Sequence, residues 1–302
     1  MKRFSIVVAL AGLLAGVAAA QAAEPLVDAA WVKANVGKPG VVFLDLRNPK
    51  ESYLAGHVPG AVHSDYVKDN WRVERGGVPG MLPETEKVEA LIGRLGIDNG
   101  SHVVLMAAGI NSTEMGSATR IYWTFKIMGH DAVSILNGGM AVWLADKRNA
   151  LEPGINAPAA RTFKAKPRFE LLANVPDVEK AIGGGGLVDH RPSDQYLGIN
   201  KTGSVKRYGT LPGARSLPTA WTTVDDGGVF RDAGTLERLF AAAGAPAKGP
   251  VINFCNTGHW ASVGWFVAHE LLGNREARLY DGSMAEWTMD AARPVERKIA
   301  VP

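Results

Sequence analysis

The chain has 302 residues, a length that suggests two domains, and 46% of them are hydrophobic, which is ordinary for a globular protein with sizeable cores. It carries 33 basic and 30 acidic side chains without a basic stripe, which argues against a nucleic-acid partner. It contains one cysteine, so an internal disulfide is excluded.

The first 22 residues have the pattern of a secretory signal peptide. Lys2 and Arg3 precede a mostly apolar run over residues 4–20, and Ala20-Gln21-Ala22 offers a small-x-small cleavage site. The strongly apolar part of this run, Ile6–Val17, is short for a membrane span and is interrupted by Gly12 and Gly16, which favours cleavage near Ala22 over a retained anchor. We therefore expect an exported protein, in the periplasm of a bacterium, with no membrane partner once the signal is removed.

Short apolar strands alternate with helical patterns through the first half of the remaining chain. Such alternation predicts a parallel sheet covered by helices on both faces, with the ligand site beyond the carboxyl ends of the strands. The expected strands are Val41–Leu46, His102–Ala107 and Ala132–Leu136. The expected helices are Glu84–Leu95, Ser112–Met128 and Ala141–Leu144.

The second half of the chain repeats the first. Asp45 recurs as Asp189 and Gly138 recurs as Gly282, both at an offset of 144 residues. Ordered offsets of this size predict two homologous domains and do not fit a solenoid, whose period is far shorter. The predicted organisation is a signal peptide (1–22), a first domain (23–150), a linker (151–169) and a second domain (170–302).

The single cysteine, Cys255, lies between a predicted buried strand, Pro250–Phe254, and a helix predicted over Ala261–Leu272. A thiol in that position faces the unpaired backbone N–H groups of a loop and of a helix N-terminus, which stabilise a thiolate. The alternative is an inert cysteine in the core. The strand–loop–helix context, with Gly258 in the loop, favours a catalytic thiol.

Three segments of the chain resemble motifs of the rhodanese-like sulfurtransferases in their tandem-domain form. Tyr53–Ala61 resembles the first signature of that family, and Ala277–Trp287 resembles the second, except at Met284, where an aromatic residue is usual. Val188–Arg191 is similar to the family's Asp-x-Arg at a strand end. The resemblance covers nearly all of the mature chain. It implies an α/β fold of two rhodanese-like domains, each a parallel sheet with helices on both faces.

The resemblance also implies a mechanism and a set of site residues. Cys255 would take a sulfane sulfur from a small sulfur-containing anion, become a persulfide and pass the sulfur to cyanide, a thiol or a protein, with no metal or organic cofactor. Ala107 stands opposite Cys255 in the first half, so the first domain is expected to be inactive and to wall the site. The substrate-binding residues expected are Asn256, Thr257, Gly258, His259, Trp260, Ala261 and Arg191.

Three of these side chains have structural alternatives. Arg191 could pair with Asp189 instead of a donor, and we favour that role because the same pair recurs in the inactive half. His259 could assist proton transfer, or only its backbone N–H could matter. Trp260 could form a wall of the pocket or pack against the other domain.

The identity of the donor is less clearly indicated. Thiosulfate-using relatives typically have basic residues after the cysteine, whereas Asn256 and Thr257 are neutral. Relatives that use 3-mercaptopyruvate hold it with paired arginines upstream, where this chain has Lys201 and Lys206 before Arg207. We place thiosulfate ahead because the protein is expected to be exported, with 3-mercaptopyruvate as the runner-up.

Two other functions suit a cysteine loop. A cysteine phosphatase needs an arginine about six residues after the cysteine, where Ala261 and Ser262 stand, so this activity is disfavoured. A carrier that delivers one bound sulfur to a partner stays open. Repeated turnover with free donor and acceptor distinguishes an enzyme from such a carrier.

Overall fold

A computed structural model describes residues 23–300, so the predicted signal peptide lies outside the described residues. Within this range, none of the helices combines the length and apolar character that a membrane span needs. The strands are β1 (Leu26–Val27), β2 (Val41–Asp45), β3 (Val62–His63), β4 (Val73–Arg75), β5 (Val78–Met81), β6 (His102–Met106), β7 (Val133–Leu136), β8 (Leu172–Ala173), β9 (Leu187–Asp189), β10 (Arg215–Ser216), β11 (Val251–Phe254) and β12 (Ala277–Tyr280).

The helices connect these strands and cover the sheets. The α-helices are α1 (Ala29–Asn35), α2 (Lys50–Ala55), α3 (Thr85–Arg94), α4 (Ser112–Ile127), α5 (Gly139–Ala145), α6 (Val175–Ala181), α7 (Ser193–Leu197), α8 (Ala233–Ala242), α9 (His259–Phe266) and α10 (Ser283–Trp287). Helix α9 continues as a π-helical segment, Val267–Leu271.

Each half of the chain forms a five-stranded sheet in which every pairing is parallel. The strand order is β1-β7-β6-β2-β3 in the first sheet and β10-β9-β11-β12-β8 in the second. The central strands β6 and β11 are nearly continuous apolar runs, as expected of strands buried on both faces. The predicted fold class, two homologous α/β domains with parallel sheets, is confirmed.

The two domains pack through their equivalent helices α4 and α9. The hydroxyls of Thr119 and Ser262 lie 2.8 Å apart across this contact. Gly116 is needed on α4, because a Cβ there would lie 2.5 Å from the ring of His259. One continuous cluster of buried apolar side chains runs through both domains, so the interface is part of the core.

Each domain also extends a hairpin over the other. The first hairpin (residues 72–82) contains β4 and β5, and its Leu82 N–H donates to the carboxylate of Asp281 at 2.5 Å. The second hairpin (residues 222–230) accepts a hydrogen bond at Gly228 O from Gly138 N, at 3.2 Å. Gly228 also packs so closely on Gly109 that a Cβ would lie 2.6 Å from its carbonyl oxygen. Each hairpin therefore covers the region beside the central-strand loop of the other domain.

The segment between the sheets lies along the first domain. Its backbone N–H groups at Arg161 and Lys166 donate to Gly93 O and Met128 O, both at 2.9 Å. The ring of Phe163 is 2% exposed and joins the core cluster. These contacts fix the predicted linker against one domain over most of its length.

Candidate active site

Cys255 directly follows the central strand of the second sheet, at its carboxyl end, and is 1% exposed. Its carbonyl accepts a hydrogen bond from Met284 N at 3.0 Å. Its N–H and that of Gly258 both donate to the hydroxyl of Ser283, each at 3.1 Å. Because Ser283 itself donates to Tyr280 O, one side chain closes the loop against the next strand.

Helix α9 begins at His259, two residues before the predicted start. Gly258 adopts the left-handed conformation, with φ 77°, which turns the chain directly into the helix. A side chain at this position would collide with the guanidinium of Arg120 and with the backbone of Asp281. The early start places His259 and Trp260 in the first helical turn, beside the thiol.

Four successive carbonyls of the loop point away from the thiol. Those of Cys255 and Asn256 accept from the backbone N–H groups of Met284 and Ala285, at 3.0 and 2.9 Å. Those of Thr257 and Gly258 accept from the guanidinium groups of two first-domain arginines, Arg72 and Arg120.

A peptide carbonyl and the following N–H point in opposite directions, so this loop turns its N–H groups inward. The N–H of Gly258 is taken by Ser283. No acceptor among residues 23–300 takes the N–H groups of Asn256, Thr257 or His259. The loop can therefore hold an anion next to Cys255.

The first domain contains an equivalent loop, in which a carboxylate of the protein itself occupies the anion position. Ala107 O accepts from Met140 N and Ala108 O from Ala141 N, at 2.8 and 2.9 Å, which repeats the pattern of Cys255 and Asn256. The N–H groups of Ala108 and Gly109 donate to the two carboxylate oxygens of Glu114, both at 2.7 Å. Ala107 is thus the structural counterpart of Cys255.

A cavity of about 300 Å³ opens onto the thiol between the domains. It contains five of the eight predicted site residues, while Gly258 and Ala261 shape the loop and helix behind it. The lining residues are Tyr66, Arg72, Thr113, Thr202, Ser204, Cys255, Asn256, Thr257, His259 and Trp260.

Arg191 is not among them, so its predicted contact with the donor needs correction. Its side chain is fully buried, and its guanidinium donates to Asp189 at 2.6–3.1 Å and to Gly209 O at 2.8 Å. Arg47 makes the matching contacts with Asp45 in the first domain. The arrangement agrees with the structural role, in which the pair fixes the loop after a strand.

His259 is enclosed by polar groups of the first domain. Its Nδ1 lies 3.0 Å from the hydroxyl of Tyr66, and its Nε2 lies 2.8 Å from Thr113 O. Because a carbonyl can only accept, Nε2 carries the proton and Nδ1 accepts from Tyr66. Burial, together with the positive charges of Arg72 and Arg120, lowers the pKa of His259 to about 4. The ring is neutral near pH 7 and adds no positive charge to the site.

Trp260 has both of its predicted roles. It lines the cavity, and its indole N–H donates to the hydroxyl of Thr113 at 3.0 Å, which joins it to the first domain. Asn256 is held from the second domain, where its amide donates to Gln195 at 2.8 Å.

Lys201, Lys206 and Arg207, which stand where relatives carry substrate-binding arginines, do not line the cavity. Arg207 donates to the carbonyls of Asp290, Ala291 and Arg293, and the ammonium of Lys201 donates to Val205 O. The guanidinium that does line the cavity belongs to Arg72, which the sequence analysis missed. No local pattern could identify it, because its contact with Thr257 spans 185 residues of chain.

Comparison with known proteins agrees with this geometry. The profile of the rhodanese-like domain family matches residues 28–146 and again residues 174–290. A thiosulfate sulfurtransferase of Corynebacterium glutamicum is 32% identical over 285 residues, which cover 90% of this chain and 90% of its own.

Solved structures are similar over the same extent. SseA of Escherichia coli, described with the rhodanese fold and mechanism of 3-mercaptopyruvate sulfotransferases, aligns with a TM-score of 0.75 and 28% identity, covering 86% of this chain and 99% of its own. Tum1 of Saccharomyces cerevisiae aligns with a TM-score of 0.76 at 20% identity, covering 91% and 98%, and supports the fold alone.

Proposed function

The chain belongs to the rhodanese-like family and is a sulfurtransferase, and from this premise we propose that Cys255 carries the transferred sulfur as a persulfide, with thiosulfate as donor. The observation that carries the proposal is the loop of inward N–H groups around this thiol. In the first domain the equivalent N–H groups hold the carboxylate of Glu114 at 2.7 Å. In the second, the same groups at Asn256 and Thr257 are available to a persulfide anion.

The reaction balances without a further reactant. The thiolate of Cys255 attacks the outer sulfur of thiosulfate, the sulfur–sulfur bond of the donor breaks, and sulfite leaves with the bonding electron pair. The outer sulfur of the new persulfide carries the negative charge into the loop. Cyanide or a thiolate then attacks that sulfur and returns the thiolate of Cys255.

The cavity supports thiosulfate over the runner-up, 3-mercaptopyruvate, because neither of the two titratable side chains that the described residues place beside Cys255, His259 and Tyr66, is a good general acid at pH 7. Sulfite leaves as a stable anion, whereas the pyruvate enolate that leaves mercaptopyruvate must be protonated. The pKa of His259 is lowered to about 4, so its neutral ring is a poor acid at pH 7. Burial raises the pKa of the Tyr66 hydroxyl, although the charge of Arg72 opposes this, and so it too is a poor acid.

Intact-mass spectrometry tests the proposal directly. Incubation with thiosulfate should add about one sulfur atom to the protein, on Cys255, and cyanide should remove it. C255S should gain nothing, because a hydroxyl is scarcely ionised and forms no persulfide. A wild-type protein that gains no sulfur from thiosulfate or mercaptopyruvate would sink the proposal.

Product counting separates an enzyme from a carrier. With excess thiosulfate and cyanide, thiocyanate should accumulate far beyond one molecule per chain, while a carrier would stop at one. We also propose export to the periplasm, on the basis of the N-terminal pattern. The same spectra test this, because protein recovered from the producing cells should begin near Ala23 and not at Met1.

A further inference from the structure

We propose that Arg72, from the inactive first domain, binds the oxyanion end of the donor and so determines the preference of the site for thiosulfate. The inference rests on the proposed function and assigns one part of the cavity to one side chain. It concerns a residue on the first hairpin, outside every motif that resembles the family.

Charge is the first reason. Among the described residues that line the cavity, Arg72 is the one with a permanent charge, because His259 is neutral near pH 7. Thiosulfate is a dianion, and a half-buried cation is the group in this cavity that can offset part of its charge.

The second reason is that this charge is not already neutralised by the protein. Arg120, the neighbouring guanidinium, is fully buried and forms an ion pair with Asp281 at 2.5 Å. Arg72, in contrast, forms no ion pair with any carboxylate in the described part of the chain. Its protein contacts are carbonyls, at Gly80 (3.0 Å from Nε) and Thr257. A half-buried guanidinium without a counter-ion keeps its net positive charge, which favours an anionic ligand beside it.

The third reason is geometric. The bonds to Gly80 O and Thr257 O use Nε and Nη2, and no carbonyl or carboxylate among residues 23–300 accepts from Nη1. Arg72 is bonded to the loop that follows Cys255, and its guanidinium lies 5.9 Å from the centre of the Tyr66 ring, which also lines the cavity. The two carbonyls thus fix one edge of the guanidinium, and the rest of it can reach the Tyr66 hydroxyl or a ligand beside the thiol.

A small tetrahedral oxyanion suits this arrangement. The cavity holds about 300 Å³ and carries hydroxyl groups at Thr202 and Ser204 on the wall formed by the second domain. A sulfonate group offers three oxygens, so it can accept both from Arg72 and from one hydroxyl of the Thr202–Ser204 pair, whose oxygens lie 3.0 Å apart, while the outer sulfur faces Cys255. The first domain therefore contributes to donor binding as well as to the wall.

The test is the Michaelis constant of R72Q for thiosulfate, measured with sulfur loading of Cys255. Loss of a charge-assisted hydrogen bond should raise KM about tenfold. The inhibition constant of sulfite, which shares the oxyanion, should rise with it. Discharge of a preformed persulfide by a neutral thiol should keep its wild-type rate, because that step does not use the oxyanion site.

Two variants complete the experiment. R75Q removes an equal charge from the same hairpin, at an exposed side chain bonded to Leu82 O outside the cavity, and should leave KM unchanged. R72K keeps the charge but loses the planar fork, so its KM should lie between those of wild type and R72Q. R72K also carries the test alone if R72Q does not fold.

The inference is overturned if folded R72Q or R72K keeps the wild-type KM and sulfite inhibition. It is also overturned if R72Q slows persulfide discharge as much as loading, which would indicate that Arg72 only supports the loop at Thr257. Failure of the proposed function has a different signature, since wild-type protein would then form no persulfide at all.

Discussion

His259 shows how the environment of one residue can remove an expected role. Its two ring nitrogens are engaged by Tyr66 and by the carbonyl of Thr113, at 3.0 and 2.8 Å. Protonation of Nδ1 would break the hydrogen bond from Tyr66 and place a second positive charge near Arg72. His259 therefore joins the two domains as a neutral ring that accepts from Tyr66 and donates to Thr113. The sequence alone could not distinguish this role from proton transfer.

Nuclear magnetic resonance can check this state. With a pKa of about 4, the ring signals of His259 should not shift between about pH 5 and pH 8. The folded pKa lies below the unfolded value of about 6.5, so the unfolded state binds more protons in this window. Acidification from about 6.5 towards 4 should then destabilise the wild type more than H259N. A midpoint near 6.5 in the folded protein would contradict the assignment.

The residues found from sequence are those whose neighbours in space are neighbours in the chain. Cys255 and the loop after it were identified from a strand, a glycine and a helix within a few residues. Tyr66 and Arg72 approach that loop only through the packing of two domains, over 193 and 185 residues of chain. Local patterns carry no information about such distant contacts.

At the scale of elements, the loops that follow the two central strands have the same backbone geometry, and a carboxylate fills the first of them. Both loops direct their carbonyls outward through equivalent hydrogen bonds, to Met140 in the first domain and Met284 in the second. Burial raises the pKa of Glu114, whose carboxylate fills the first loop, while the two N–H donors act to lower it. We expect the first domain to be inactive for two reasons, because it lacks the thiol and because Glu114 occupies its anion site.

Restoring the thiol alone should therefore not restore sulfur binding. In a C255S background, A107C should gain no sulfur from thiosulfate, because the carboxylate of Glu114 repels both a thiolate and the donor. A107C combined with E114A should gain sulfur, at some loss of stability from the unpaired N–H groups, about 1–3 kcal/mol each. Intact mass distinguishes the two proteins, and circular dichroism verifies their folds. Equal loading of both would show that Glu114 does not block the loop.

The strands and helices that were given bounds from the sequence match the structure to within one or two residues, when the π-helical continuation of α9 is included. The strand expected over His102–Ala107 spans His102–Met106, and the helix expected over Ser112–Met128 spans Ser112–Ile127. The prediction of these segments was accurate because long apolar runs and helical periodicity are local signals. The first hairpin was not predicted, since its strands β4 and β5 have only three and four residues and give no clear local pattern.

At the scale of the whole molecule, a buried polar cluster joins the domains on α4 and the π-helical segment. Glu270 accepts from Tyr122 at 3.0 Å and lies 3.7 Å from Lys126, both in the first domain, and 2.7 Å from His269 in its own. Burial acts to raise the pKa of Glu270, but the hydrogen bond from His269 and the charge of Lys126 hold it below its usual range.

This cluster predicts a stability that depends on acid. A carboxyl group with a depressed folded pKa stabilises the protein above its unfolded pKa of about 4.3, and that contribution is lost as the pH falls through the folded pKa. E270Q should be less stable than the wild type by about 1 kcal/mol near pH 7, because the charge-assisted hydrogen bond with His269 is lost, while Lys126 keeps Asp131 at 2.5 Å. The gap between wild type and E270Q should shrink below about pH 4 in calorimetric scans. E276Q, an exposed neighbour, should match the wild type throughout.

The reciprocal hairpins also bear on how such a protein can evolve. A duplicated domain without a reactive group ordinarily accumulates substitutions, since no catalytic function of its own is under selection. Here the first hairpin supplies Arg72 to the wall of the cavity beside Cys255, so its deletion would remove this cation from the cavity. Changes in this hairpin would leave the cysteine loop intact. Donor preference could therefore change through substitutions in the first domain while the cysteine loop of the second domain stays constant.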